Sequence, residues 1–217
     1  MELPSLSAPA AQASRPPPAF RTEHFVQSAA ALLLPIGKEA ASCTACALSG
    51  SRTTVVFGAG TARSGIVLIG EAPGATEDAA GVPFVGRSGQ LLDRMLAASG
   101  IARQDVYIAN VLKCRPPGNR DPHPSEVAAC SHFLRAQVRA LRPRVLCALG
   151  LHATRWLVSA KVPLSRLRGR ILDYEGISAV VTYHPAALLR SPGLRPKADE
   201  DFALLRAAAQ EAAAREV

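Results

Sequence analysis

The chain has 217 residues, which is enough for one α/β domain with a full hydrophobic core. Hydrophobic residues make up 48% of it and the mean hydropathy is +0.13, so a disordered protein is excluded. No apolar run approaches the length of a membrane span, and the N-terminus lacks the basic and apolar regions of a secretory signal. We therefore expect a cytoplasmic protein with no membrane association, and we expect a monomer.

The net charge of +8 is concentrated in one part of the chain. Residues 101–170 contain thirteen Lys and Arg but only three acidic residues, a net charge of +10, and the remainder carries −2. Localised positive charge is typical of proteins that bind a polyanion, most often a nucleic acid. The alternative is an arginine-rich solvated surface without a partner.

The N-terminal part of the chain differs in composition from the rest. Residues 1–24 are rich in Ala, Pro and Ser and are predicted to form a flexible tail, which leaves residues 25–217 for the folded domain. Residues 25–35 are predicted to form a short helix that packs on this domain. Residues 53–57 have strand-like character.

Short apolar runs alternate with amphipathic segments along the remaining chain. Four runs are predicted to be buried strands: residues 66–69, 106–109, 145–149 and 179–182. Helices are predicted at residues 88–98, at residues 124–141, through Trp156, at residues 186–190 and from Lys197. This alternation predicts an α/β fold, a single three-layer α/β/α domain whose central, mostly parallel sheet has four strands.

Polar residues follow three of the predicted strands close to the point where each one ends. Glu71, Asn110 and His184 hold these positions after the first, second and fourth strand. The carboxyl ends of parallel strands meet at one edge of a sheet, where open α/β sheets bind their ligands. We therefore predict a functional site at this edge.

The segment GEAPGATEDAAGVPFVGRSGQLL, residues 70–92, has the composition of a ligand-binding loop. It carries three carboxylates, Glu71, Glu77 and Asp78, among glycines and a proline. Phe84 lies in the same loop, where no amphipathic period requires an aromatic side chain. The alternative is an ordinary strand–loop–helix connection with solvated carboxylates.

Five cysteines in a chain without signs of secretion do not indicate a disulfide framework. Cys147 falls within a predicted strand and is interpreted as a small buried apolar residue. The other four are candidate metal ligands: Cys43, Cys46, Cys114 and Cys130. Four thiolates suit either tetrahedral Zn²⁺ or an iron–sulfur cluster, and their spacing alone does not decide between the two. Unrelated free thiols are the third interpretation.

Three long motifs resemble those of the family 4 uracil-DNA glycosylases, the iron–sulfur branch of the uracil-DNA glycosylase superfamily. They are residues 70–92, NVLKCRPPGNRDPHPSEVAAC at residues 110–130 and TYHPAALLRSP at residues 182–192. The resemblance runs from Cys43 to about Pro192 and implies a [4Fe–4S] cluster on the four cysteines. It also implies a DNA-repair enzyme that flips uracil out of single- or double-stranded DNA, hydrolyses its N-glycosidic bond and leaves an abasic site.

The resemblance and the chemistry of base excision together assign roles in a uracil pocket. Phe84 is expected to stack on the flipped base, and Asn110 to pair with its N3–H and O4. His184 is expected to donate a hydrogen bond to O2 of the departing uracil. The other residues expected to line this pocket are Glu71, Ala72 and Gly74.

Several further residues are candidates for catalysis or for binding the DNA backbone. Glu71, Glu77 and Asp78 compete for the carboxylate that stabilises the sugar cation or orients water, and the sequence does not rank them. By resemblance, Glu77 is also expected to crowd C5 of uracil and so exclude thymine, and Asn119 to position water or the nucleotide. The DNA backbone is expected to contact five arginines: Arg115, Arg120, Arg166, Arg168 and Arg170.

Two alternatives concern the reaction itself. A related branch of the superfamily carries a longer basic loop with a histidine that becomes covalently linked at the base site. Here the loop is short and His123 is its only histidine, so we predict an enzyme that releases uracil and stays free. The second hypothesis is a nucleic-acid-binding or electron-transfer iron–sulfur protein without hydrolytic activity, which leaves the strand-edge positions of Phe84, Asn110 and His184 unexplained.

Overall fold

The computed structural model describes residues 19–158 and 162–215. Its strands are β1 (Ala59–Gly60), β2 (Ile66–Gly70), β3 (Tyr107–Asn110), β4 (Val145–Leu149), β5 (Leu172–Tyr174) and β6 (Ile177–Thr182). Its helices are α1 (Ala19–Ala41), α2 (Ala75–Ala80), α3 (Arg87–Ala98), α4 (Pro124–Leu141), α5 (Leu151–Val158), α6 (Leu164–Leu167), α7 (Pro185–Arg190) and α8 (Arg195–Ala214). Helix α1 begins before the predicted domain boundary at residue 25, and residues 1–18 of the predicted tail lie outside the described residues.

The sheet has six strands in the order β1-β3-β2-β4-β6-β5, and the prediction of four strands is therefore wrong. The four predicted strands are the central ones, β3, β2, β4 and β6, and they are parallel to one another. The two additional strands, β1 and β5, pair antiparallel at opposite edges. Segments of two and three residues are too short to show the hydrophobic period from which strands are predicted. The α/β class itself is confirmed.

The segment predicted to be strand-like, residues 53–57, is a loop. Its backbone N–H groups do not pair with a strand. Those of Thr53 and Thr54 donate to the Asp78 carboxylate. The N–H of Val56 donates to the carbonyl of Lys113 at 2.8 Å. These bonds hold the loop against α2 on one side and against the chain that leaves β3 on the other.

Helices cover both faces of the sheet because successive strand residues point to opposite sides. Ile66 and Leu68 of β2 pack with α3, α7 and α8, whereas Val67 and Ile69 pack with α1, α4 and α5. The strands are therefore buried on both faces, as their continuous apolar character requires. Among the described residues, none of the helices combines the length and the apolar character needed to cross a membrane.

The carboxyl ends of the parallel strands meet at one edge of the sheet. Gly70 at the end of β2 lies in register with Asn110 at the end of β3. Pairing continues past both strands, since the N–H of Val111 donates to the Gly70 carbonyl and that of Leu112 to the Glu71 carbonyl, each at 3.0 Å. The segments that follow β2 and β3 are consequently held side by side.

Candidate active site and metal centre

Residues from three separate segments surround one point at the carboxyl edge of the sheet. A Cβ placed on Gly70 would lie 2.2 Å from Oδ1 of Asn110 and 2.7 Å from Cε2 of Phe84. The ring of Phe84 lies 5.6 Å from the ring of His184, centroid to centroid. We call Gly70, Phe84, Asn110 and His184 the edge site. Only glycine fits at position 70, because a Cβ there would clash with the side chains of Asn110 and Phe84.

Asn110 brings a buried acceptor without a donor to the edge site. Its side chain is 1% exposed, and its Oδ1 atom has no hydrogen-bond partner among the described residues. A buried polar atom left without a partner costs about 1–3 kcal/mol. This cost is removed when a ligand supplies an N–H donor at that position.

His184 is held in one tautomer by the helix that it precedes. It is the N-cap of α7, and its Nδ1 atom accepts from the N–H of Ala186 at 3.1 Å. In the neutral ring the proton is therefore on Nε2. Burial, together with the charge of Arg190 and against the opposing charge of Glu77, lowers the pKa of His184 to about 4. Near pH 7 the residue is a neutral imidazole with one N–H available for donation.

Phe84 adopts a backbone conformation that the following residues keep in place. Its φ of +54° lies in the left-handed region, which a bulky residue rarely adopts. Oε1 of Glu77 accepts from the N–H of Val85 at 3.0 Å and from that of Gly86 at 2.8 Å. Arg103 donates to the Phe84 carbonyl from the other side at 3.2 Å. The Glu77 carboxylate thus fixes the loop that presents the aromatic ring to the edge site.

The other residues predicted to line the pocket lie at its margin or beyond it. Gly74 precedes α2, and a Cβ there would lie 2.7 Å from Oε2 of Glu77. Ala72 packs in an apolar cluster with Leu48, Leu112 and Cys114, on the side of the cysteines. Gly74 therefore makes room for Glu77, while Ala72 is tied to the loop that carries Cys114.

The three candidate carboxylates have three different environments. Asp78 is buried, and both of its oxygens accept from the Thr53 N–H, at 3.0 and 3.1 Å. Glu77 is bound to the Phe84 loop. Glu71 keeps 31% of its side chain exposed, and its Oε2 atom lies 3.9 Å from Nε2 of His152. Among the three, Glu71 alone combines a position next to the edge site with access to solvent.

His152 was not singled out from the sequence, although it contacts Glu71. It lies in α5, and its Nε2 atom is also 3.6 Å from Oδ2 of Asp121. Burial raises the pKa of Glu71, and the histidine opposes this rise. Its position in the first turn of the helix after β4, at the same sheet edge, is the signal that would have identified it.

Four of the five arginines predicted to bind the DNA backbone divide into two groups. Arg120 binds the buried Glu126 with both terminal nitrogens, at 2.6 and 2.9 Å, and this pairing lowers the pKa of Glu126 to about 2. Arg168 forms an ion pair with the buried Asp201 at 3.0 Å. Arg166 and Arg170 are exposed. The first two therefore hold the fold together, whereas the second two lie at the surface, where Arg170 donates to the carbonyl of Arg166.

Asn119 and Arg115 form a pair within the loop after β3. Nε of Arg115 donates to Oδ1 of Asn119 at 2.8 Å, and Asn119 is exposed with a φ of +55°. Asparagine tolerates this left-handed conformation better than most residues. The structure places Asn119 at the surface of the loop, where it is bound to Arg115.

The four candidate metal ligands, Cys43, Cys46, Cys114 and Cys130, line one cavity. They come from the segment after α1, the loop after β3 and the second turn of α4. None of them is in a disulfide, and neighbouring cysteines raise the pKa of Cys114 in addition to the rise caused by burial. Four cysteine sulfurs around one cavity are a donor set that suits either a zinc ion or an iron–sulfur cluster. Cys147 lies apart, in the core of β4.

N–H donors point at two of the four sulfur atoms. The backbone N–H of Lys113 donates to Sγ of Cys130 at 3.3 Å, and Arg52 donates to Sγ of Cys114 at 3.4 Å. Arg52 also donates to the Cys43 carbonyl at 2.8 Å, so it ties two of the ligand segments together. Such bonds stabilise the charge on metal-bound thiolates. The donor set therefore suits a thiolate metal centre; Arg52 was not foreseen because no local pattern marks it.

Comparison with known proteins agrees with this geometry. A profile of the uracil DNA glycosylase superfamily matches residues 57–210. A Type-4 uracil-DNA glycosylase of Thermotoga maritima is 49% identical over 158 residues, which cover 72% of this chain and 82% of the relative. One of Archaeoglobus fulgidus is 43% identical over 175 residues, covering 77% and 88%. A Type-5 uracil-DNA glycosylase of Pyrobaculum aerophilum is 35% identical over 91 residues, covering 41% and 40%.

The three-layer fold, the polar edge site and the profile together define a class of protein, the uracil-DNA glycosylase superfamily. Within that superfamily, the two long matches show that the chain belongs to the type-4 enzymes. The resemblance found in the sequence motifs is thereby confirmed, and so is the expected class of enzyme, a hydrolase of N-glycosyl bonds.

Proposed function

We propose that this chain removes uracil from DNA by binding a flipped uracil nucleotide, hydrolysing its N-glycosidic bond and leaving an abasic site. The observation that carries the proposal is the buried, unpartnered Oδ1 of Asn110, which lies beside Phe84 and His184 at the sheet edge. A base inside a duplex cannot reach such a site, so the nucleotide must leave the stack. The names of the type-4 relatives support uracil as the base.

Asn110 accounts for the choice of base. Its Oδ1 atom accepts from N3–H of uracil while its amide N–H donates to O4, and both bonds form in a buried place. Cytosine presents an acceptor and an amino group at these positions, so the same asparagine would leave buried polar groups unsatisfied. Stacking on Phe84 adds about 1–3 kcal/mol without distinguishing between bases.

His184 accounts for the stabilisation of the leaving group. Cleavage of the glycosidic bond moves negative charge onto uracil, and the N–H on Nε2 is the donor that the fixed tautomer leaves free. The low pKa keeps the imidazole neutral, so the histidine stabilises O2 through a hydrogen bond and keeps its own proton. Removal of one donor of this kind typically lowers the chemical step by about 10²–10³.

Glu71 is the carboxylate that we assign to the sugar and the attacking water. It follows Gly70 directly at the edge site, and it is the candidate with access to solvent. Burial raises its pKa, which favours its action as a base near neutral pH. Glu77 and Asp78 accept from backbone N–H groups and are assigned to holding the loops on either side.

The four cysteines are assigned to a [4Fe–4S] cluster, which supplies the cross-link between the N-terminal segment and the loop after β3. The N–H groups of Arg52 and Lys113 are the donors that stabilise charge on the cysteine sulfurs. Zn²⁺ is the alternative occupant of four thiolates. The exposed Arg166 and Arg170 are assigned to phosphates of the DNA backbone.

A labelled oligonucleotide with one uracil tests the proposal. Incubation with the protein followed by alkali is expected to break the strand at the uracil, and a cytosine-containing control is expected to remain intact. Asn110→Asp is expected to lose most of this activity and its selectivity, because a carboxylate presents a second acceptor to O4. A folded wild-type protein that binds the oligonucleotide without strand scission would support the alternative, a binding protein, and would overturn the proposal.

A further inference from the structure

The ammonium group of Lys113 is buried between the metal centre and the edge site. The side chain is 1% exposed, and lysine is almost never this deeply buried unless its charge is paired. Nζ donates to the backbone carbonyl of Asn110 at 2.8 Å and to Oε1 of Gln137 at 2.6 Å. Nothing in the proposed reaction uses this lysine, so its burial requires another explanation.

Gln137 gives the lysine a fixed position. It is fully buried, and its Nε2 atom donates to the carbonyl of Phe57 and to the hydroxyl of Tyr107, each at 2.9 Å. With both amide protons directed at acceptors, Oε1 is turned toward Nζ. The Gln137 amide thus has a partner at its oxygen and for both of its protons, which fixes its position.

The backbone of Lys113 is bonded in the opposite direction. Its N–H donates to Sγ of Cys130 at 3.3 Å, and its carbonyl accepts from Val56 at 2.8 Å. Lys113 also directly precedes Cys114. A single residue therefore contacts the metal centre through its backbone and the end of β3 through its side chain.

The bond to the Asn110 carbonyl determines how one peptide group is oriented. The peptide group between Asn110 and Val111 is held at both ends, because the Val111 N–H donates to the Gly70 carbonyl at 3.0 Å. Without the lysine the carbonyl would be a buried acceptor lacking its donor, and only the bond from the Val111 N–H would resist rotation of this peptide group. Such a rotation changes the direction in which the asparagine side chain leaves the backbone.

We infer that Lys113 is a positioning residue for base recognition, which holds the Asn110 carbonyl so that the Asn110 amide faces the base. The inference rests on the proposed function, since it assumes that Asn110 reads uracil. Recognition by hydrogen bonds requires side chains held within about 0.5 Å of the productive position. Lys113 supplies that constraint from inside the protein and does not touch the base.

The test measures base-specific binding separately from the reaction. Affinity is measured for an oligonucleotide with an uncleavable deoxyuridine analogue and for one with cytosine at the same position. The ratio of these two affinities is then compared between each variant and the wild type. Lys113→Met is expected to lower this ratio about tenfold. Binding to the cytosine oligonucleotide, iron content and visible absorption are expected to stay as in the wild type. The matched control is Tyr107→Phe, which removes an acceptor of Gln137 but leaves the Lys113–Asn110 bond, and its ratio is expected to stay within twofold of wild type.

A second variant decides the outcome if Lys113→Met does not fold or does not hold iron. Gln137→Met removes the other acceptor of the ammonium group and is expected to lower the ratio more than Tyr107→Phe does. The inference is overturned if the decisive variant keeps the wild-type ratio, or if the ratio simply follows the melting temperature across the variants. A wild-type protein with no preference for uracil over cytosine would instead refute the proposed function.

Discussion

Replacement of Glu77 tests whether this carboxylate holds the Phe84 loop or acts on the substrate. Its Oε1 atom accepts two backbone N–H bonds, at 3.0 and 2.8 Å, and the residue is 7% exposed. Hydrogen bonds to a charged group contribute about 1.5–3 kcal/mol each. The lower end of this range applies here, because Val85 is exposed and water can bond to its N–H when the carboxylate is removed. Glu77→Ala is therefore expected to lower the free energy of unfolding by about 3 kcal/mol.

Glu77→Gln provides the matched comparison, since its amide oxygen can still accept from the loop. We expect it to cost about 1 kcal/mol. Unfolding followed by circular dichroism reports these differences, because 1 kcal/mol shifts the melting temperature of a domain of this size by about 2–4 °C. The expected decreases are thus about 6–12 °C for Glu77→Ala and about 2–4 °C for Glu77→Gln.

Single-turnover excision of uracil separates the two roles. Glu77→Gln is expected to keep a rate within about tenfold of wild type, whereas Glu77→Ala loses more because the left-handed Phe84 backbone is no longer held. Asp78→Asn is the control, since Asp78 bonds to Thr53 and should affect stability but not the rate. If Glu77→Gln melts like the wild type but excises uracil over a hundredfold more slowly, the charge acts in the reaction and our reasoning is wrong.

Three further predictions concern His184, the cysteines and the exposed arginines. The His184 ring is expected to titrate near pH 4 when its NMR signals are followed against pH. Because the pKa of an unfolded histidine is higher, about 6.5, the free energy of unfolding is expected to rise with pH from about 4 to about 6.5 and then to level off. Titration of His184 near pH 6.5 would contradict its burial. Cys114→Ser is expected to lose iron and brown colour, while Cys147→Ser keeps both, as measured by metal analysis and visible absorption. Arg166→Ala and Arg170→Ala are each expected to reduce the slope of log K against log salt for duplex DNA by about 0.9, and unchanged slopes would remove both from the DNA interface.

Much of the architecture was present in local sequence patterns. Four apolar runs identified the four parallel strands, because a strand buried on both faces needs a continuous apolar segment. The polar residues that end these runs identified the sheet edge, since parallel strands carry their carboxyl ends to one side. The enzyme class was recognisable from three motifs, and the comparisons confirm it.

Residues of the same type have different roles in this protein, and only tertiary contacts decided which residue has which role. Glu77 and Asp78 are neighbours in the chain, yet one carboxylate bonds to Val85 and the other to Thr53. Arg120 is the same residue type as the exposed Arg166, yet both of its terminal nitrogens are bound by the buried Glu126. A hydrogen bond depends on where donor and acceptor meet after packing, and residue type alone does not specify that meeting point.

Residues that act across long separations left no local signal at all. Arg52 reaches Cys114 and Gln137 reaches Phe57, so each joins segments more than sixty residues apart. Lys113 looks like one more surface cation of a basic loop until the fold buries it under Asn110. Periodicity and composition determined which segments form the core of this protein, whereas the packing of those segments determined which polar groups face one another inside it.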